Sequence, residues 1–325
     1  MKKPVLISGI QPTGRLHLGN YLGALKQFVE LQNSGKYQCY FFIADYHSLT
    51  EDFNPSEKSK QILGVAQAYV ASGLKSKQST LFVQSAVPAH TELAWILNTL
   101  APVGEMERMT QYKDKAERQK QNINIGLLTY PALMAADILL YDTIFVPVGE
   151  DQNQHLELAR TLARKFNSKF GATFFEPKAL LTEQARIMSL DNPEKKMSKS
   201  FPAGCLFLDD LPEEIKAKIS RAVTDSGSEI KYDKQSKAGI ANLLEIYSAF
   251  SGKTIPELEK MYLGKGYGQF KSDLASVISK ELQPFRETKI KDSQLKTILS
   301  AGAKKAQKIA SEKMKEVKKK IGIAL

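Results

Sequence analysis

Two cysteines in 325 residues leave no material for a disulfide framework. Cys39 and Cys205 show no metal-ligand spacing either. No metal site is therefore expected, and a reducing, cytoplasmic compartment is. No apolar run approaches the ~20 residues that a membrane-spanning helix requires. Met1-Lys2-Lys3-Pro4 leads straight into a strand pattern, without the apolar stretch of a secretory signal, so no leader is expected. Internal repeats and low-complexity tracts are missing. Acidic charge is in short supply: 46 lysines and arginines face 35 aspartates and glutamates, a net charge of +11. The surplus gathers at one end, where lysines 304, 305, 308, 313, 315, 318, 319 and 320 face only Glu312 and Glu316. Such a basic face suits a polyanionic partner. No aromatics are interleaved there, which excludes a base-stacking surface and leaves phosphate contact.

With 42% hydrophobic and 25% charged residues, the chain can build a sizeable core, with a prior of about two domains. Strand patterns at 5–7, 37–44, 80–84 and 143–148 alternate with helical ones at 54–73, 91–100, 130–141 and 152–166. That alternation predicts a Rossmann-like α/β fold, a parallel sheet with helical crossovers. Asn54-Pro55-Ser56-Glu57 spells a helix start. The polar stretch 106–124 has no clean period and reads as helix ends and a mobile loop at a cleft. From about Leu211 the strand signals stop. Helical patterns at 212–223, 239–250, 255–262, 270–285 and 295–321 predict an all-helical second part. The expected division is 1–206 for the α/β domain, 207–290 for the helical domain and 291–325 for a basic terminal helix.

Ser8 to Asn20, SGIQPTGRLHLGN, joins the first strand to a helix. Such a strand–turn–helix is expected to aim backbone N–H groups and the helix dipole at an anion. It is neither G-x-G-x-x-G nor a P-loop, since no Gly-Lys-Ser/Thr follows. His17-Leu18-Gly19-Asn20 resembles the HIGH signature of class I aminoacyl-tRNA synthetases. Lys196-Met197-Ser198-Lys199-Ser200 matches the second signature, KMSKS, in full, about 180 residues later. Gly149-Glu150-Asp151-Gln152 is a third match, and with Gly-Ile-Gln-Pro-Thr-Gly at 9–14 it resembles the tryptophanyl members. The resemblance runs from Ile7 to the terminal lysines.

The resemblance implies a two-step reaction. A tryptophan carboxylate attacks the α-phosphorus of ATP, carried with Mg²⁺ on its phosphates, and pyrophosphate leaves. The adenylate then esterifies the 3′ end of tRNA(Trp). It implies a homodimer, with the helical domain reading the anticodon. Phosphoryl chemistry of this kind needs alignment and positive charge more than a general base. The implied catalytic set is Lys196, Lys199, Gln11, Thr13 and His17. The implied ATP site takes Gln11, Pro12, Thr13, Gly19, Asn20, Gly149, Glu150, Asp151, Ile187, Lys196, Met197, Ser198, Lys199 and Ser200. Lys113 and Lys115 are either solvated or within reach of Asp151 or the triphosphate.

Tyr130, Met134, Asp137 and Ile138 recur at i, i+4, i+7 and i+8. One carboxylate thus lies on an apolar and aromatic helix face. A buried carboxylate needs a donor. On the residues alone that donor is an arginine or a backbone N–H; the resemblance implies instead the indole N–H of tryptophan, a donor only. Gly9, His47, Val146, Val148 and Gln152 complete the implied pocket. Two departures stand out. Phe201-Pro202-Ala203-Gly204-Cys205 follows KMSKS where acidic or small polar residues are usual, and no cysteine cluster exists for an iron–sulfur site. The alternatives are a tyrosyl enzyme, a nucleotidylyltransferase, which would not need the region after Leu211, and a non-catalytic RNA-binding paralogue, against which both intact signatures argue.

Overall fold

The computed structural model describes residues 3–118, 123–149, 152–181, 187–199 and 201–324. Five strands, β1 (Val5–Ile10), β2 (Gln38–Ile43), β3 (Ser79–Val83), β4 (Phe145–Val148) and β5 (Lys178–Leu181), form one sheet. Its order is β3-β2-β1-β4-β5, and every pairing is parallel. β2 is buried from Cys39 onward, as its unbroken apolar run predicts. β5 has no counterpart in the sequence reading, because four residues carry too little alternation to register.

The crossovers are helical. α1 (Leu18–Asn20) continues through a π turn at Tyr21–Leu25 into α2 (Lys26–Asn33). α3 (Pro55–Ala71) starts where expected, with the Asn54 side chain accepting from the Ser56 N–H. α4 (Ala89–Asn98), α5 (Val103–Glu107), α6 (Thr110–Arg118), α7 (Ile125–Leu139) and α8 (Asn153–Phe170) follow. α6 stands at 110–118 where a loop was expected within 106–124; residues 119–122 of that stretch lie outside the described residues. Apart from Tyr112 and Ala116 the sequence of α6 is polar, so it lacks an apolar stripe, yet it is rich in good helix formers. The Gln154 side chain caps it by accepting from the Thr110 N–H at 2.8 Å.

Beyond Leu211 the chain is helical: α9 (Pro212–Arg221), α10 (Ala238–Ser251), α11 (Ile255–Met261), α12 (Tyr267–Glu281) and α13 (Gln283–Glu287). The single helix expected over 270–285 divides at Leu282, because Pro284 supplies no N–H to continue the ladder. Tyr247, Tyr262 and Phe270 pack ring against ring at 5.1–6.0 Å and form its aromatic core.

α14 (Asp292–Ile321) returns to the sheet. Leu295 and Leu299 join the apolar cluster on one side, with Leu81 and Val65. Ala303, Ala306, Ala310, Met314 and Val317 join the cluster on the other, with Leu93, Leu97 and Leu139. The helix therefore crosses the outer edge at β3 and covers it, which removes an open strand edge. Gly302 sits at the crossing, where a Cβ would lie 1.9 Å from the Leu81 carbonyl oxygen. Buried Lys313 pins the far half: it pairs with Asp142 at 2.7 Å and Glu316 at 3.0 Å and donates to the Thr173 carbonyl at 3.0 Å.

Gly302→Ala tests this crossing. Helix propensity alone favours alanine by about 1 kcal/mol. The overlap with Leu81 outweighs that gain, and a net loss above ~2 kcal/mol is expected as a lower urea midpoint and Tm. An unchanged or raised midpoint would place α14 off β3.

Candidate active site

β1 and β4 are neighbours in the sheet, but the chain visits β2 and β3 between them. Their following loops diverge, and in open α/β sheets the crevice at that reversal is where ligands bind. A cavity of about 340 Å³ occupies it. Gly9 and Gln11 come from β1 and its loop, His47 from the turn after β2, and Tyr130, Met134, Asp137 and Ile138 from α7. Val146, Val148 and Gly149 come from β4 and its end, and Gln152 precedes α8. All nine residues expected around the amino acid thus meet at one cavity, with Gln11 and Gly149 of the nucleotide set beside them. Gly9 is required by packing: a Cβ there would lie 2.8 Å from the Phe42 ring, which also lines the cavity.

Asp137 is 2% exposed and already has three donors in the chain. Its Oδ1 lies 2.7 Å from Gln84 Nε2 and 2.6 Å from His90 Nδ1. Its Oδ2 lies 2.7 Å from His47 Nε2. The chain thus pairs this carboxylate with histidine and glutamine side chains, and not with the arginine or backbone N–H expected from the residues alone. Burial alone raises such a carboxyl; the charge and the hydrogen bond of His47, then the hydrogen bond from His90, outweigh it and hold Asp137 below its ordinary range. The group is an ionised acceptor with about four lone-pair positions, and three are filled. Sequence reasoning missed Gln84, His90 and Tyr141, whose hydroxyl meets His90 Nε2 at 2.8 Å. The one signal was a histidine in the apolar stretch of α4. Tyr130 is fixed separately, its hydroxyl 2.8 Å from His155 Nε2.

The signature turn differs from the expected anion cradle. The Leu18 N–H donates to Leu206 O, and those of Asn20 and Tyr21 donate to His17 O. The Gly19 N–H donates to His17 Nδ1 at 3.0 Å. These four N–H groups are spent internally and are not free for an anion. The same bond makes Nδ1 the acceptor, which leaves the proton of a neutral ring on Nε2. His17 is neutral: burial, then Lys199 and Lys196, push it down to about 4. Asn20 is engaged too, its Oδ1 accepting from the His17 N–H at 3.0 Å. Gly19 is glycine because a Cβ would lie 2.9 Å from the His17 ring. Pro12 is buried beside this turn.

Lys199 joins the two signatures directly, donating to the Thr13 carbonyl at 3.2 Å and hydroxyl at 3.1 Å. Burial lowers its pKa, opposed by Cys205 and Glu51. Met197 and Ile187 are buried beneath the loop, and the Met197 N–H donates to Ile187 O at 3.1 Å. Ile187 therefore belongs to the core and does not line the cavity. Lys196 is exposed and Ser198 half-buried. The unusual segment after KMSKS docks at Gly204, where a Cβ would lie 2.0 Å from Ser189 Oγ and Asp191 Oδ1. Residues 206–208 then pair with 16–18, and Arg15 binds Asp209 at 2.7 Å with its guanidinium 4.2 Å from the Phe207 ring centre. Lys113 is exposed. Glu150, Asp151 and Ser200, and the side chain of Lys115, lie outside the described residues.

The family model for tRNA synthetases class I (W and Y) matches residues 1–283. A tryptophan–tRNA ligase of Bacillus anthracis is 50% identical over 326 residues, covering 98% of each chain. That of Bacillus subtilis (strain 168) is 48% identical over 327 residues, covering 99% of this chain and 98% of the other. A tryptophanyl-tRNA synthetase structure from Mycoplasma pneumoniae superposes with a TM-score of 0.90 at 36% identity, covering 100% and 99% of the two chains. One from Campylobacter jejuni complexed with ADP and tryptophan superposes at 0.82 with 39% identity, covering 98% and 99%.

The state of His17 has a consequence for pH. In the fold it gains a proton near pH 4, and in the unfolded chain near its ordinary value of 6.5. Between these the unfolded chain binds more protons, so the contribution of His17 to stability is complete above 6.5 and drains away as pH falls towards 4. His17→Asn keeps a good helix cap. Its unfolding free energy is expected to fall less steeply than wild type across that window. Parallel slopes would contradict the neutral, buried ring.

Proposed function

The chain belongs to the class I tRNA synthetases of the tryptophan and tyrosine kind, and on that premise we propose that it is a tryptophan–tRNA ligase. Tryptophan carboxylate oxygen attacks the α-phosphorus of ATP, and the bond to pyrophosphate breaks. The tRNA 3′-terminal hydroxyl then attacks the adenylate carbonyl, and AMP leaves. Asp137 Oδ2 carries the choice of amino acid: an ionised oxygen on the wall of an apolar, aromatic cavity with one acceptor position left. An indole N–H donates and accepts nothing. A phenol would also bring lone pairs, and the N–H groups of His47, Gln84 and His90 nearest to it are already aimed at Asp137.

ATP arrives as its magnesium complex, the ion being part of the substrate. We assign the phosphates to His17 Nε2–H, Lys196 and Lys199, with Gln11 and Thr13 beside them. Gly149 with Glu150 and Asp151 is assigned to ribose and adenine. Lys199 has to exchange Thr13 for the phosphates, so its charge acts as the transition state forms. We assign tRNA(Trp) to the helical part and to the free face of α14. Lys313, Lys315 and Lys318 are paired with carboxylates. Lys304 and Lys308 instead border an open groove of about 760 Å³ between α3 and α14, together with Lys296 and no acidic side chain. A cytoplasmic homodimer is the proposed state; among the described residues no helix is long and apolar enough to cross a membrane.

Pyrophosphate exchange into ATP tests the reading. Exchange should depend on tryptophan and not on tyrosine, and Lys199→Ala should lower its kcat by roughly 10²–10³ with a much smaller change in KM for ATP. Exchange driven by tyrosine, or a Lys199 effect confined to KM, would overturn the respective assignment. Reversing charge at Lys304, Lys305 and Lys308 should weaken tRNA binding and flatten its salt dependence. An unchanged salt slope would assign those lysines to solvent.

A further inference from the structure

We propose that His90 and Tyr141 form a positioning relay that fixes which oxygen of Asp137 faces the amino acid. The inference rests on the tryptophan reading above. Neither residue borders the cavity. His90 is fully buried, packed 6.0 Å from the Phe42 and Phe82 rings and 5.5 Å from Tyr141. Its two nitrogens both have partners, Asp137 Oδ1 at 2.6 Å and the Tyr141 hydroxyl at 2.8 Å. A carboxylate held ionised only accepts, so Nδ1 carries the proton there. In the neutral ring Nε2 then accepts from the Tyr141 O–H. Burial, then the charge of Asp137, push that hydroxyl far above its ordinary value, so it keeps its proton and stays a donor.

The relay works on one oxygen only. Gln84 Nε2 donates to the same Oδ1 at 2.7 Å, and the Gln84 amide is itself oriented, because its Oε1 accepts from the Tyr46 N–H at 3.2 Å. Oδ1 is thereby saturated from behind, and the open position falls on Oδ2 beside His47, which lines the cavity. Without the relay the carboxylate is freer to turn and share its donors between both oxygens. The supports of the relay are also tied down from outside. α4, which carries His90, is bound to α14 through Glu92 and Lys318, and Asp142, next to Tyr141, is bound to it through Lys313.

The test compares tryptophan with its nitrogen-free benzothiophene analogue in pyrophosphate exchange. Tyr141→Phe removes one oxygen and leaves the ring packing. His90→Leu removes both hydrogen bonds, and His90→Asn restores an amide N–H where Nδ1 stands. His90→Leu should lower kcat/KM for tryptophan about tenfold, the effect of one charged hydrogen bond, and Tyr141→Phe about fivefold, the effect of a neutral one, both chiefly through KM. The KM for ATP and the kcat/KM for the analogue should hardly move, so the preference for tryptophan falls with them. His90→Asn should keep most of that preference. If Tyr141→Phe and His90→Leu lower Tm but keep the wild-type preference, the pair is core packing and the relay is overturned. A wild type that shows no preference between the two amino acids overturns the tryptophan reading itself.

Discussion

A carboxylate buried in an apolar wall has to be satisfied by the chain before it can serve a ligand. Removing one partner from a buried charge costs about 3–5 kcal/mol. Asp137 meets that demand with donors from three separate segments: His47 after β2, Gln84 after β3 and His90 on α4. Their convergence dictates how closely α7 and α4 must lie and where the ends of β2 and β3 must stand. The floor of the cavity follows, because Phe42 closes on Gly9 directly beneath it. α14 holds the assembly from the far side, with its crossing point at Gly302 and its ion pairs to Asp142 and Glu92. The pocket is pre-formed because its charged centre is paired on the protein side.

The side we assign to the phosphates is built on the opposite plan. The helix start has spent its N–H groups on His17 and Leu206, so it presents no ready cradle. What it presents is a neutral imidazole with its proton on Nε2, next to two lysines of a separate loop. Proximity to those lysines helps to keep the imidazole neutral. Lys199 rests on Thr13, and residues 206–208 pair with 16–18, so the two signatures form one unit. The π turn at Tyr21–Leu25, a feature common at functional sites, lies directly behind it. Positive charge thus sits at the surface loop, whereas the proposed amino-acid pocket rests on buried, mutually paired groups.

Local chemistry was legible in the sequence. The strands β1 to β4 follow from apolar runs, α3 from its cap and α9 from Pro212 and two glutamates. The face bearing Tyr130, Met134, Asp137 and Ile138 follows from spacing alone, and the signature residues from their spelling. Long-range pairing was not legible. Gln84 and His90 lie about fifty residues before Asp137 and Tyr141, and nothing local marks the two pairs as members of one network. The return of α14 to β3 was hidden for the same reason, since Gly302 looks like any helical glycine until Leu81 is seen beneath it. Glycine roles were the least legible. Gly19 faces the ring of His17, a contact that spacing does not reveal.

One lone pair of Asp137 Oδ2 is, in the proposed function, kept for an indole N–H. Tryptophan carrying ¹⁵N in its indole ring, bound to the protein and observed by NMR, reports on that bond directly and apart from Trp95. The bound indole proton is expected to shift downfield from that of the free amino acid and to be protected from solvent exchange, with the shift reduced in Asp137→Asn. A bound indole proton that exchanges as fast as the free one, or a shift untouched by Asp137→Asn, would contradict that assignment.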